Sequence, residues 1–356
     1  MCRGLLAARR DRILPDPRRR RSRAHPARGT PGIFLALRSS VTPRLSVVIV
    51  VSDPRQPLGR CLDALEQCRT RVPLEAIVVD HGPGGGCAGP LRERFPWIEV
   101  VGPPERRGFT FGVNRGFALA RAEAVLMLSP DCKVTAEALE RLLRALACEP
   151  ALAAVAPALP DRYGMPARSC GRFPDLWTLL CGELGLARAL PDSALFGRYR
   201  YGGRRLETLD YVDWASGAAL LIPRGLWRRL GGLDENLLVS MEEVDWCRRA
   251  ATAGHRVRYA PAAAVTHLGR EAARATPDET YLQHLRSRLY YFRKHHGTWT
   301  AHGARALLTL SLAARWLGAL ASHLLRPAGA GGERGAPAPA SLYAAGLGVV
   351  WAEAGR

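Results

Sequence analysis

The sequence predicts an α/β protein: a mostly parallel sheet flanked by helices, with a helical extension at its C-terminal end. Three observations predict it. Short, continuous, largely β-branched runs recur at Leu45–Val51, Ala76–Asp80 and Ala124–Leu128, as expected of strands covered on both faces. Apolar residues at helical spacing separate them. Two carboxylates, Asp80 and Asp131, stand at or just past strand ends, the edge where an open parallel sheet binds ligands.

The elements follow in chain order. Residues 1–43 carry eleven arginines against two aspartates and no core-forming pattern, so they read as a disordered basic arm, with no clean signal peptide. After the first strand, Leu58, Cys61, Leu62 and Leu65 recur as the buried face of a helix. The second strand ends at Asp80 and a Gly-rich loop follows. Ile98–Val101 forms a third strand, Gly112–Arg121 a helix, Ala124–Leu128 the fourth strand and Ala136–Ala147 another helix. The Pro-, Gly- and Arg-rich stretch 158–210 is expected to be variable and partly mobile. Order returns at 212–222, then comes a carboxylate-rich helix at Met241–Ala253, a short strand near Val257–Tyr259 and a lone His267. This domain spans 44–270. Residues 271–326 read as a helical segment, and 327–356 as a Pro/Gly/Ala linker with a small apolar tail. Within 307–325 a central Arg315 costs about 2.5–3.5 kcal/mol on membrane insertion. That favours a packed or interfacial helix over a span.

Composition narrows the function classes. A formal charge of +19 comes almost wholly from arginine, since Lys133 and Lys294 are the only lysines. Such a balance favours polyanionic partners: nucleic acid, anionic lipid or a pyrophosphate-bearing substrate. A nucleic-acid binder explains the charge but not buried strands ending in acids. No zinc knuckle, RNA-recognition signature or aromatic-interleaved basic stripe is present, so no nucleic-acid partner is expected. Nine cysteines without a CxxC pair argue against a disulfide framework or zinc ribbon and for reduced thiols in a cytoplasmic protein.

Five blocks then stand in order: Leu45–Val51; Ala76–Asp80; Gly108-Phe109 with Asn114-Arg115-Gly116; Leu128-Ser129-Pro130-Asp131; and a long block. The last runs from Asp213-Trp214-Ala215-Ser216-Gly217-Ala218 through Gly231-Gly232-Leu233-Asp234-Glu235 to Glu242-Glu243-Val244-Asp245-Trp246-Cys247-Arg248-Arg249. Together they resemble family 2 glycosyltransferases of the GT-A fold, which has a Rossmann-like sheet, and in particular the rhamnosyltransferase-like members. The resemblance covers about residues 44–270.

It implies an inverting enzyme that moves a sugar from a nucleoside-diphosphate sugar to an acceptor hydroxyl of a polysaccharide, glycolipid or cell-wall glycan. The donor leans toward dTDP-rhamnose or a UDP-sugar. The departing diphosphate builds negative charge that a divalent cation, Mg²⁺ or Mn²⁺, neutralises, and hard cations take carboxylate oxygen. Asp131 matches the last acid of the family's metal motif, with Ser129 where this subfamily often has Asn. His267 matches a metal or diphosphate ligand. Asp80 matches the residue that accepts from the nucleobase, and an acceptor-only carboxylate suits the N3–H of uracil or thymine. Gly108 and Asn114 match a donor-facing helix start. Glu243 matches the general base, one methylene longer than the usual Asp, with Glu242 supporting it and Asp245 next in line or paired with Arg248 or Arg249. Asp213, Trp214 and Gly217 match the acceptor side, where aromatic faces pack on sugar rings. Sugar specificity is expected in 158–210. Binding of the arm or the C-terminal helix to anionic lipid would make the protein peripheral on the inner face of the membrane. The departures at Ser129, at Glu243 and after Asp80 also suit a degenerate member that binds donor or partner without turnover.

Overall fold

The computed structural model describes residues 42–51, 57–80, 88–102, 108–237, 239–268, 277–324 and 340–352. The basic arm up to residue 41, the loop after Asp80 and most of the 327–340 linker lie outside the described residues.

In chain order the elements are β1 (Leu45–Val51), α1 (Leu58–Cys68), β2 (Leu74–Asp80), α2 (Ala88–Arg94), β3 (Glu99–Val101), α3 (Phe109–Leu119), β4 (Ala124–Leu128), β5 (Cys132–Lys133) and α4 (Ala136–Cys148). Then come β6 (Leu152–Ala158), β7 (Cys170–Gly171), α5 (Leu176–Glu183), α6 (Leu186–Ala189), β8 (Tyr211–Val212), β9 (Trp214–Ala215) and β10 (Ala219–Pro223). The remainder is α7 (Arg224–Leu230), α8 (Glu242–Thr252), β11 (Arg256–Ala264), β12 (Thr266–His267), α9 (Pro277–Leu324) and α10 (Ala340–Ala352).

Eight strands make one sheet, in the order β3-β2-β1-β4-β10-β6-β11-β8. β3, β2, β1 and β4 are mutually parallel, and β6 and β11 form a second parallel pair. β10 enters antiparallel between β4 and β6, and β8 closes the edge antiparallel to β11. The expected α/β sheet is therefore present, with antiparallel strands at its middle and edge. All of β1, β2 and β4 is buried. Alternate residues feed two cores: Val48 and Val50 face one, while Val47 and Ile49 face the other, as the period of two requires.

Glu75 shows how this sheet buries a charge. It accepts from Ser46 Oγ at 2.6 Å, from Arg121 Nε at 2.6 Å and from the Arg121 backbone at 2.8 Å, so its carboxylate is fully partnered.

The sequence pattern did not mark β6, because its Leu-Ala-Ala-Val-Ala-Pro-Ala run has little bulk and little β-branching. Within the stretch 158–210 the chain forms β7, α5 and α6, and Cys170, Leu179, Tyr201 and Leu209 are buried in the core. Asp175 caps α5 through a reciprocal capping box with Thr178.

α9 breaks at Gly297, whose φ of 79° and ψ of 175° leave the helical region. Its span 278–323 is long and apolar enough to cross a membrane by length and composition, and only 17% of its most apolar window is buried. Leu308 and Leu312 pack inward, while Leu310 and Leu317 are exposed. Arg315 is not stranded: it donates to Glu183 Oε2 and to the Glu183 carbonyl, both at 3.2 Å.

α3 lies against β1 so closely that a Cβ on Gly116 would sit 2.3 Å from Val48 Cγ1. Val48 is β-branched and buried, so it cannot swing aside. We expect Gly116→Ala to lower the stability measured by urea unfolding by about 1–3 kcal/mol, the usual range for overpacking. An unchanged midpoint would show that α3 can lift from the sheet freely.

Candidate active site

The site begins where β4 ends. Ser129-Pro130-Asp131 turns the chain into β5, and β5 pairs antiparallel with β12 so that Cys132 stands opposite His267. This short pairing carries His267 to Asp131: Nε2 lies 3.2 Å from Asp131 Oδ2. Two backbone bonds lock the corner, His267 N–H to the Pro160 carbonyl at 2.8 Å and Leu268 N–H to the Asp131 carbonyl at 2.9 Å. Ser129 Oγ donates to Asp131 Oδ1. Burial pulls the Asp131 carboxyl upward, but the hydrogen bonds from His267 and Ser129 outweigh it and hold the group below its ordinary value.

Asp131, Cys132 and His267 offer ligand atoms within 4.8 Å of one another. The sequence reading missed Cys132 as a member of this cluster. Its thiol donates to the Ala218 carbonyl at 3.4 Å, and burial, then the Asp131 charge, push its pKa upward. The donor set open to a hard cation is therefore one carboxylate and one imidazole, which fits a divalent ion that also takes phosphate and water oxygens.

Next to this corner runs the loop before β10. The Ala218 carbonyl accepts from Ser129 N–H at 2.8 Å. The residue before it, Gly217, lies against Glu243, and its backbone N–H favours the ionised Glu243 carboxylate. A Cβ on Gly217 would lie 3.2 Å from Met127 Cε and 3.9 Å from Glu243 Cβ, so the loop runs close against both side chains. Adjacent loop residues thus hold Asp131's turn on one side and Glu243 on the other.

Glu242 and Glu243 open α8, where the unpaired N–H groups and the helix dipole favour negative charge. Each side chain is half-buried, yet each Oε2 is fully buried with no hydrogen-bond partner. Burial first, and then the charge of Glu243, push the Glu242 carboxyl up to about 8. Glu243 is also raised by burial, against the backbone N–H groups of Glu243 and Gly217 and the positive charge of Arg200. Sequence reasoning did not find Arg200. It lies in the low-pattern stretch, clamped over the rings of Trp214 at 4.5 Å and Tyr199 at 5.2 Å.

Ser240 and Met241, directly before the pair, both have positive φ, 62° and 68°. Two consecutive non-glycine residues in this region store strain. His284 Nδ1 holds Ser240 Oγ at 2.5 Å, another partner that sequence spacing could not reveal.

Asp80 is buried at the end of β2, level with Val51 of β1. Gly108 starts α3 with φ 92°, which favours glycine.

Four expected site residues are held by contacts within the scaffold. Asn114 donates to the Leu233 carbonyl and accepts from Leu233 N–H, both at 2.9 Å, pinning the 231–235 turn. Asp213 accepts from Phe173 N–H at 2.8 Å. Trp214 is buried, donates to the Arg172 carbonyl at 2.8 Å and gives its face to Arg200 rather than to a sugar. Asp245 is fully buried, bonded by Arg249 at 2.9 Å, Lys294 at 2.7 Å and His295 at 2.7 Å. Those contacts hold its pKa below the ordinary value despite burial, so it anchors α8 to α9 and is no candidate base.

Comparison with known proteins agrees with this layout. The model of the family "Glycosyl transferase family 2" matches residues 46–170. An N-acetylglucosaminyl-diphospho-decaprenol L-rhamnosyltransferase of Mycobacterium tuberculosis is 27% identical over 299 residues, covering 80% of this chain and 94% of its own length. Residues 46–170 of this chain form a glycosyl transferase family 2 domain. The glycosyltransferase is also 31% identical to a pre-mycofactocin glycosyltransferase of the same species, over 63% of this chain and 42% of that protein. Among solved structures it is similar to the mannosyltransferase PcManGT from Pyrobaculum calidifontis, in complex with GDP-Man and Mn²⁺. There the identity is 18%, the TM-score 0.48, and the cover 88% of this chain and 87% of that one. Its fold is a mostly parallel central sheet with flanking helices and a C-terminal helical region.

The raised Glu242 carboxyl makes stability depend on pH. In the folded glycosyltransferase Glu242 keeps its proton up to about pH 8, whereas the unfolded chain releases it near the ordinary value. The stability this group contributes is complete below the unfolded value and is lost as pH rises through about 8. Glu242→Gln cannot ionise, so its melting temperature should gain on wild type between pH 5 and pH 8.5, by about 2–4 °C for each kcal/mol. A melting difference that does not change with pH would show that Glu242 is already ionised at pH 5.

Proposed function

We propose that this glycosyltransferase is an inverting, metal-dependent enzyme. It moves a sugar from a nucleoside-diphosphate donor, dTDP-rhamnose or a UDP-sugar, to a hydroxyl of a polysaccharide, glycolipid or cell-wall glycan. The observation that carries this reading is the attachment of two opposed carboxylates to one loop. Asp131 is held ionised beside His267, and Glu243, on the other side of Gly217-Ala218, is half-buried with one fully buried, unpartnered oxygen.

Asp131 and His267 would hold Mg²⁺ or Mn²⁺, which when bound supplies positive charge for the departing diphosphate. Asp80, at the edge of β2, would accept from the donor's nucleobase, and Gly108 would shape the donor side at the start of α3. Glu243 takes the acceptor hydroxyl's proton as that oxygen bonds to the anomeric carbon and the carbon–phosphate-oxygen bond breaks. The oxygen enters opposite the leaving group, so configuration inverts. A raised carboxyl pKa makes Glu243 a stronger base than an exposed glutamate. The Mycobacterium tuberculosis relative is named for a lipid-linked diphospho-sugar acceptor. A similar membrane-borne acceptor here is supported by the exposed Leu310 and Leu317 of α9 and by the net charge of +19. The protein would then work in the cytoplasm, peripheral on the inner face of the membrane.

Two substitutions test the two ends of the site. Asp131→Asn keeps shape and removes charge, so metal-dependent affinity for a nucleoside diphosphate should collapse in calorimetric titration with and without Mn²⁺. Equal metal dependence in both proteins would remove Asp131 from the metal site. Glu243→Gln should lower turnover by about 100- to 10,000-fold, read as nucleoside diphosphate release in the presence of acceptor, while donor affinity changes little. If activity survives within a few-fold, the base lies elsewhere. If wild type shows neither metal-dependent binding nor turnover, the chain is a binding member of the family.

A further inference from the structure

Behind the acid pair lies a cavity of about 220 Å³, between α5, the Tyr199-Arg200 segment, Met241 and α9. It has room for about seven waters, enough for a phosphate and part of an attached ring. Its position links it to the chemistry: Met241 lines it and directly precedes Glu242, and Arg200 lines it while its charge acts on Glu243.

Two arginines line this cavity, Arg200 and Arg288, and among the described residues no carboxylate does. A carbonyl and two aromatic faces hold Arg200: Nη1 donates to the Arg168 carbonyl at 2.8 Å, and the guanidinium sits over Trp214 and Tyr199. None of these cancels its charge. Arg288 Nη1 donates to Glu183 Oε1 at 2.7 Å, but the same carboxylate also takes Ser311 at 2.7 Å and Arg315 at 3.2 Å. One acid therefore serves two arginines, and a positive excess remains at the wall. His284 adds no charge. Burial, then the neighbouring Arg288, lower its pKa to about 4, and its Nδ1 is engaged by Ser240. The rest of the wall is apolar, with Leu179, Met241 and Phe292.

A half-enclosed space with two fixed guanidiniums and an apolar wall suits an anion on a less polar stem. Guanidinium forks match phosphate oxygens in pairs and hold them with charge-assisted hydrogen bonds. We propose that this cavity is an acceptor subsite that grips a phosphate or diphosphate group of the acceptor through Arg200 and Arg288. The proposal rests on reading Glu243 as the base on the acceptor side. An anion fixed here would place the acceptor's hydroxyl within reach of Glu243, leaving the Asp131 corner to the donor. The chemistry selects acceptors that carry phosphate over neutral glycans.

The test is calorimetric titration of benzyl phosphate into the full chain in EDTA, with benzyl alcohol as the uncharged control. Wild type should bind the phosphate and not the alcohol. Arg200→Gln and Arg288→Gln should each weaken binding by about 10- to 100-fold, the worth of a hydrogen bond to a charged group. Arg200→Lys and Arg288→Lys, which keep the charge, should lose less. Thermal melts of each variant separate lost affinity from lost fold. Asp131→Asn should bind benzyl phosphate as wild type does; loss of binding there would place the anion at the donor corner and overturn the proposal. No binding by wild type, or wild-type affinity in both Gln variants, would overturn it as well. Metal-dependent nucleoside diphosphate affinity, measured on the same protein, reports on the glycosyl-transfer reading separately, so either reading can fail while the other stands.

Discussion

The antiparallel insertion of β10 between β4 and β6 is the constraint on which the site depends. It brings the loop before β10 against the turn after β4, so that the Ala218 carbonyl receives Ser129 N–H while Gly217 meets Glu243. Consecutive residues cannot drift apart by more than one peptide unit. The carboxylate proposed for the metal and the one proposed for the acceptor are therefore tied to a common backbone segment. A fully parallel sheet would put a crossover connection there, and no such direct coupling would follow.

Charge is then tuned in opposite directions on the two sides. Asp131 is held below the ordinary carboxyl value by donors from His267 and Ser129, although burial alone would raise it. Glu242 and Glu243 are raised by burial, each with an Oε2 that has no donor, and the charge of Glu243 raises Glu242 further. Glu75 shows that this chain can satisfy a buried carboxylate completely when its role is structural. The orphaned oxygens at Glu242 and Glu243 are thus a local arrangement, suited to a group that must take up and release a proton.

The C-terminal helix α9 is a brace for this arrangement as much as an appendage. Lys294 bridges Asp234 at 2.6 Å and Asp245 at 2.7 Å, and His295 adds a second bond to Asp245. One turn of side chains on α9 thus ties the 231–235 turn to α8, while His284, nearer its start, restrains the strained Ser240-Met241 step. Strain at the entrance to α8 can persist because these contacts over-determine it.

The sequence by itself determined the strands that are buried on both faces, since β1 and β4 match their apolar runs residue for residue and β2 differs only by starting at Leu74. It also placed Asp80 and Asp131 at the ligand edge and the acid pair at a helix start, because strand ends and first turns have local signatures. β6 escaped notice because small residues carry little periodic signal. Tertiary structure alone decided which polar residues are spent on the scaffold. Asn114, Asp213, Trp214 and Asp245 read as site residues by position, yet their partners, Leu233, Phe173, Arg172 with Arg200, and Lys294 with His295, come from elements that no local pattern pairs with them. The same holds for the meeting of His267 with Asp131 and of Arg200 with Glu243. Propensity and periodicity are local properties of the chain, whereas a hydrogen bond or an ion pair exists only once the sheet order has brought distant segments together.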